Sequence, residues 1–172
     1  GSLYHEQLVS SRGFDGIYTL LYHINAPTQI KKMLEPIPVK TELLTDYPLQ
    51  PMHLKTSLSE RTGEDFLDAR VPLLANNDCA LSICNPSKYT MDYFYKNGEN
   101  DEVIYMHDGS GYLYCPQGKL RFKKGDYIVI PRTTVYKMEF DKNEVDDDGN
   151  KVEVRMMITE SRAPIETVNR YR

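Results

Sequence analysis

Side chains that could hold a metal or attack a substrate are scarce in this sequence, and their spacing excludes the commonest arrangements. The four histidines, His5, His23, His53 and His107, lie at least 18 positions apart. Neither an H-x-H pair nor an H-E-x-x-H helix turn, each of which aims two imidazoles at one metal, is therefore present. Cys79, Cys84 and Cys115 form an odd set without a C-x-x-C pair, which fits a reduced, intracellular chain better than a disulfide framework. Cys79 and Cys84 end the run Asp78-Cys-Ala-Leu-Ser-Ile-Cys84 with no adjacent basic residue to favour a thiolate. Both are expected to be buried packing thiols. The acidic stretch Asp141-Lys-Asn-Glu-Val-Asp-Asp-Asp-Gly-Asn150 invites an EF-hand test. Setting Gly149 at the sixth position of such a loop places Arg155 where the bidentate glutamate belongs, so the pattern fails. The stretch is expected to be a solvated hairpin loop joining strands at 135–140 and 152–159.

The elements that must position these residues follow from composition and periodicity. The chain has 172 residues, 40% apolar and 27% charged, with a net charge of -4. That length suits one domain with a full core. The acidic balance argues against a nucleic-acid partner, which needs a basic stripe. No run reaches the ~18 to 20 apolar residues of a membrane span, and no signal segment opens the sequence, so a cytoplasmic protein is expected.

Short β-like runs recur at 17–22, 39–44, 79–84, 91–95, 103–107, 112–115, 120–122, 127–130, 135–140 and 152–159. Several alternate as half-buried strands do: Val152, Val154, Met156 and Ile158 share one face, and Tyr136, Met138 and Phe140 oppose Val135, Lys137 and Glu139. Asp108-Gly109, Gln117-Gly118, Lys124-Gly125 and Asp148-Gly149 supply turns. The single helix candidate runs from Pro27 to Leu34, stopped by Pro36. The expected fold is all-β, a sandwich or barrel with at most one or two short helices.

Two pieces of sequence resemble the paired motifs of the cupin superfamily, double-sheet β-barrels of the jelly-roll kind. The motifs read G-x5-H-x-H-x3,4-E-x6-G and G-x5-P-x-G-x2-H-x3-N. Glu102 and Gly109 match E-x6-G, and Gly125 with Pro131 matches G-x5-P. The resemblance implies a cupin barrel over 71–172, with 1–70 as an N-terminal extension whose strands pack on it. In metal-binding cupins three histidines and the glutamate meet inside the barrel around iron, manganese or another divalent ion. Here the histidine positions fall on Tyr95, Asn97 and Tyr136, and the glycine after the proline falls on Thr133. Glu102 alone keeps its type, and one carboxylate with an amide and two phenols is a poor site for iron or zinc. The barrel is expected to be metal-free, with Tyr95, Asn97, Glu102 and Tyr136 forming a degenerate polar pocket. Phenol hydroxyls bonding Glu102 would satisfy that cluster. His107 should face away from Glu102 by strand alternation.

The N-terminal blocks narrow the resemblance. Gly1-Ser-Leu-Tyr-His-Glu-Gln-Leu8, Gly13-Phe-Asp-Gly-Ile17 and Leu20-Leu-Tyr-His-Ile-Asn-Ala-Pro-Thr-Gln29 are similar to the opening of bacterial homogentisate 1,2-dioxygenases. Asn76-Asn-Asp78, 101–111, 125–132 and Glu160-Ser-Arg-Ala-Pro-Ile-Glu166 follow in the same order. The family implies a two-cupin chain that opens the homogentisate ring with dioxygen during tyrosine and phenylalanine breakdown. Its Fe(II) ligands belong to the C-terminal cupin, while the N-terminal cupin helps to assemble trimers and hexamers. This sequence matches the N-terminal half, so no iron ligand carries over to any of its positions. The leading expectation is a non-catalytic assembly domain whose partners are the C-terminal catalytic cupin and further copies of itself. The alternatives are a stand-alone metal-free cupin that binds a small aromatic or sugar in its barrel, and a metal-dependent enzyme recruiting His23 or His53.

Overall fold

The computed structural model describes residues 3–12, 14–33, 35, 51–56 and 60–171. The chain divides into two compact units, Gly1–Glu42 and Leu43–Arg172. The first is a two-stranded antiparallel hairpin of β1 (His5–Arg12) and β2 (Asp15–His23), paired from His5↔His23 to Arg12↔Asp15. A bulge interrupts the pairing between Ser10 and Arg12. Beyond it, residues 27–33 contain no helix: Gln29 N bonds the Ala26 carbonyl across one turn and no second turn follows. Pro27 can open a helix, but a single closed turn does not offset the cost of nucleation. Leu34 and the strand expected at 39–44 lie outside the described residues.

Among the described residues the second unit holds nine strands in two sheets. They are β3 (Arg70–Ala75), β4 (Cys79–Cys84), β5 (Tyr95–Lys96), β6 (Asp101–Asp108), β7 (Gly111–Cys115), β8 (Gly118–Phe122), β9 (Tyr127–Ile130), β10 (Val135–Phe140) and β11 (Arg155–Ser161). One sheet has the order β3-β4-β11-β6-β9 and the other β5-β10-β7-β8. From β4 to β11 every connection but the β7–β8 hairpin passes from one sheet to the other. That winding, all antiparallel, makes a jelly-roll barrel.

Alternation fills the space between the sheets. Cys84, Ile104, Met106, Met156 and Ile158 point inward from the five-stranded sheet. Leu113, Phe122, Tyr136, Met138 and Phe140 point inward from the other, and all ten are buried. Phe66, Ala69, Met91 and Val154 from the connections and Ile130 from β9 join them in the core. Gly111 is required by a close approach: a Cβ there would run into the Glu139 carbonyl oxygen and come within 2.8 Å of the Phe122 ring.

Four further sequence expectations change. Residues 91–94 form no strand, and only Tyr95 and Lys96 pair with β10. The 152–159 run begins its strand at Arg155 and extends to Ser161. The acidic loop does not join two strands of one hairpin, because β10 and β11 belong to different sheets. It carries a small turn of its own, in which Asp146 Oδ1 accepts from the backbone N–H groups of Asp148 and Asn150. Cys84 is buried as expected, but Cys79, at the outer start of β4, is exposed.

Candidate functional site

The barrel interior turns polar where Glu102 enters it. Glu102 is the second residue of β6, stands directly across from Glu160 on β11 and from Ile130 on β9, and is fully buried. Two carboxylates opposite each other on neighbouring strands repel. The chain resolves this with Arg70, the first residue of β3. Its Nη1 donates to Glu102 Oε1 at 2.6 Å and lies 3.8 Å from Glu160 Oε1. From the facing sheet, Tyr136 on β10 donates its hydroxyl to Glu102 Oε2 at 2.7 Å and accepts from Arg70 Nη2 at 3.1 Å. Arg70, Glu102 and Tyr136 thus close a ring of hydrogen bonds across the barrel axis.

Local structure aims the guanidinium. Asp65 Oδ1 accepts from the N–H groups of Leu67 and Asp68, folding 65–69 into a tight turn that the Ala69 N–H to Asp65 carbonyl bond closes. This turn sets the Phe66 ring 4.5 Å from the Arg70 guanidinium carbon, while the Tyr95 ring lies 5.4 Å away on another side. Such cation–π contacts gain strength when desolvated. Tyr95 and Tyr136 are register partners and meet edge to face at 5.5 Å.

Burial alone would lower the Arg70 pKa. Tyr136 and Glu102 beside it more than reverse that, and the guanidinium is held above its ordinary value. Burial also pushes the Tyr136 phenol well above its usual range. Tyr95 rises to about 12, through burial first and the Glu102 charge second. Both phenols are therefore neutral donors at any ordinary pH.

Of the four residues expected in the pocket, Tyr95, Glu102 and Tyr136 do converge. Asn97 joins only at one remove: its Nδ2 donates to Glu160 Oε1 at 2.7 Å, and its Oδ1 accepts from the Glu99 and Asn100 N–H groups to form the turn into β6. Sequence reasoning missed Arg70, Glu160 and Phe66. No local pattern in the sequence pairs Glu160 with Glu102 or marks Arg70 as the cation between them, because the pairing is a matter of strand register. His107 faces outward, edge-on to Tyr105 at 4.7 Å. His53 lines a groove of about 560 Å³ together with His107, Asp108 and Arg155, and His23 bonds Gln7 at 2.9 Å within the hairpin.

These donors do not fit the divalent centre that the cupin pattern implies. Two are protonated phenols, the amide is engaged by Glu160, and the carboxylate is held by a cation that would itself repel a metal ion. Among the described residues no group of three or more His, Cys, Asp or Glu side chains is placed to hold a metal. The arrangement can do something else: it neutralises charge inside the barrel and ties one sheet to the other.

No protein-family model matches the chain. It is 35% identical over 143 residues to a Saccharolobus solfataricus protein named "Putative dioxygenase", an alignment that takes in 83% of this chain and 37% of that protein. The chain thus spans little more than a third of that relative's length. Solved structures similar to it include a Bacteroides fragilis cupin protein, with 17% identity, coverage of 70% of this chain and 94% of that one, and a TM-score of 0.45. Another is a cupin-2 domain protein from Shewanella frigidimarina, with 18% identity, coverage of 54% and 79%, and a TM-score of 0.41. At those TM-scores the fold assignment rests on the chain's own strand order. No described helix is long and apolar enough to cross a membrane.

Proposed function

We propose that this chain is a non-catalytic cupin domain, the structural and assembly part of a homogentisate 1,2-dioxygenase-like protein whose Fe(II) chemistry resides in a separate catalytic cupin. The observation that carries this reading is the Arg70–Glu102–Tyr136 ring, which fills with a fixed cation the position where cupin ligands gather on a metal. The relative named as a dioxygenase supports the oxygenase context, and the ordered N-terminal blocks support the homogentisate family. Within such a protein the domain contributes a rigid barrel and surfaces for its neighbours, and leaves oxygen and substrate to the other cupin.

The test is metal analysis of the purified chain, followed by oxygen-electrode measurements with homogentisate and added Fe(II). Far less than one equivalent of bound metal and no homogentisate-dependent oxygen uptake are expected. Stoichiometric iron together with oxygen consumption would overturn the reading.

One observation favours a second reading, a barrel that binds a small aromatic or sugar. Arg70 Nε is buried without a hydrogen-bond partner among the described residues, and a ligand oxygen could accept from it. Saturable one-site heat in calorimetric titrations, abolished by Arg70→Met, would support that role; absence of heat across a panel of such compounds would dismiss it.

A further inference from the structure

The first unit brings together two histidines that the sequence keeps apart. His5 and His23 stand 18 positions from each other, yet they are direct register partners in the β1–β2 hairpin. Opposed residues of an antiparallel ladder share a face, with Cβ atoms about 4.5–5.5 Å apart. Alternation puts the pair Gln7 and Leu21, and then Val9 and Thr19, on that same face. Glu6 points to the other one. No lysine or arginine at these paired positions sits beside the two imidazoles to repel a cation.

Gln7 prepares one of the rings. Its Oε1 lies 2.9 Å from His23 Nε2. A carbonyl oxygen only accepts, so Nε2 carries the hydrogen and neutral His23 keeps its lone pair on Nδ1. A ring N–H donated to an oxygen in this way is the support that metal-bound histidines ordinarily have, since it fixes tautomer and ring orientation. His5 is exposed and His23 half-buried, so ions from solvent reach both. The pair also closes the ladder at the end away from the turn, where strands fray first.

We propose that His5 and His23 form a two-imidazole site for a divalent ion of the class that imidazole prefers, Cu(II), Ni(II) or Zn(II), with water in the remaining positions. Nitrogen–metal distances of about 2.0–2.1 Å are within reach of two rings on opposed residues. The bound ion clips the open end of the hairpin, joining β1 to β2. A two-stranded sheet by itself is marginal in water, and a metal clip removes the freedom of its parted ends. The site lies outside the barrel, whose donors do not fit a metal. Among the described residues no third His, Cys, Asp or Glu joins the pair to hold the ion, so dialysis removes it. It therefore adds nothing to the metal that the purified chain retains, and its outcome is separate from that of the oxygenase reading.

The test titrates each ion into the full chain by calorimetry, in non-chelating buffer at about pH 7.5, where imidazole is neutral. His5→Ala and His23→Ala are compared with wild type, and His53→Ala/His107→Ala is the control. Wild type and control are expected to bind one equivalent, Cu(II) more tightly than Ni(II) or Zn(II). Each hairpin variant should bind at least about 10-fold more weakly, since losing an outer-shell partner alone costs that much. With free Zn(II) at 100 times its measured Kd, amide exchange at 5–7 and 21–23 should slow roughly 100-fold. No saturable binding up to about 1 mM metal would overturn the proposal. So would a hairpin variant that binds as tightly as wild type, a control that loses binding, or exchange unchanged at saturation. If a variant loses its hairpin, wild type decides by nuclear magnetic resonance: trace Cu(II) should broaden the His5 and His23 signals first, and broadening of His53 or His107 first would overturn the site.

Discussion

Removing the Arg70 guanidinium should cost the barrel far more than its small number of hydrogen bonds suggests. In Arg70→Met the stem volume is largely kept, but Glu102 and Glu160 are left facing each other across β6 and β11 with no cation between them. Glu102 is fully buried and keeps only the Tyr136 hydroxyl as a partner. Stranding a buried charge in this way costs about 3–5 kcal/mol, which at ~2–4 °C per kcal/mol is a fall in Tm of roughly 6–20 °C. Glu102→Leu strands the opposite charge, although Glu160 remains 3.8 Å from Arg70, so its loss should fall at the lower end of that range. The double variant Arg70→Met/Glu102→Leu removes both ions and should recover at least about 2 kcal/mol relative to the sum of the singles. Urea unfolding followed by far-UV circular dichroism and tyrosine emission suits a chain with no tryptophan and 13 tyrosines. A loss below about 1 kcal/mol for Arg70→Met, or strict additivity in the cycle, would refute the assignment of the ring as a coupled charge network.

Thr133 lies in left-handed backbone at φ 67°, where a β-branched residue is strained; Thr133→Gly should stabilise the barrel by about 0.5–1 kcal/mol after glycine's own entropy is charged, read as a rise in the urea midpoint. Cys79 is exposed, whereas burial pushes the Cys84 thiol up to about 12. A thiol-reactive disulfide reagent at pH 8 should therefore modify Cys79 within the mixing time and Cys84 only on unfolding. The hydrogen bond from Arg121 holds the Asp141 carboxyl below its usual value against a smaller opposing effect of burial, with Ser110 adding to the lowering. A carboxyl lowered in the folded state contributes stability that is present above its ordinary value of 3.8 and is lost as pH falls through the folded one. Asp141→Asn should accordingly flatten the decline of Tm with falling pH below about 4, measured against the wild-type curve.

Legibility in the sequence followed local pattern. β9 and β10 were readable to the residue because Tyr127–Ile130 and Val135–Phe140 lie between turn residues and the latter alternates cleanly. β3 was not: Pro72 and a bulge before Leu74 break its alternation, so neither the strand nor the direction of Arg70 could be inferred. β1, with Glu6, Gln7, Ser10, Ser11 and Arg12 among its eight residues, has too little apolar content to announce a strand. The cupin spacing brought Tyr95, Glu102 and Tyr136 together correctly, because matching residues on closed strands fixes which side chains share the axis. It could not reveal that Glu160 stands across from Glu102, a matter of register between strands nearly sixty positions apart, and so it could not ask what neutralises them. Thr133, where the cupin pattern would place a glycine, does lie in left-handed backbone, so the spacing located a turn whose residue type differs from the pattern.

The hydrogen-bond ring also governs how this barrel can move. Barrels that admit ligands breathe, their two sheets parting at one end on slow timescales. Here Arg70 and Glu102 from one sheet and Tyr136 from the other form a bolt through the axis. Parting the sheets would mean pulling an ion pair and a phenol apart in a dry interior, so amide hydrogen exchange of β6 and β10 is expected to proceed through cooperative unfolding of the unit. A barrel fastened in this manner resists parting of its two sheets and yields to load as one stiff body.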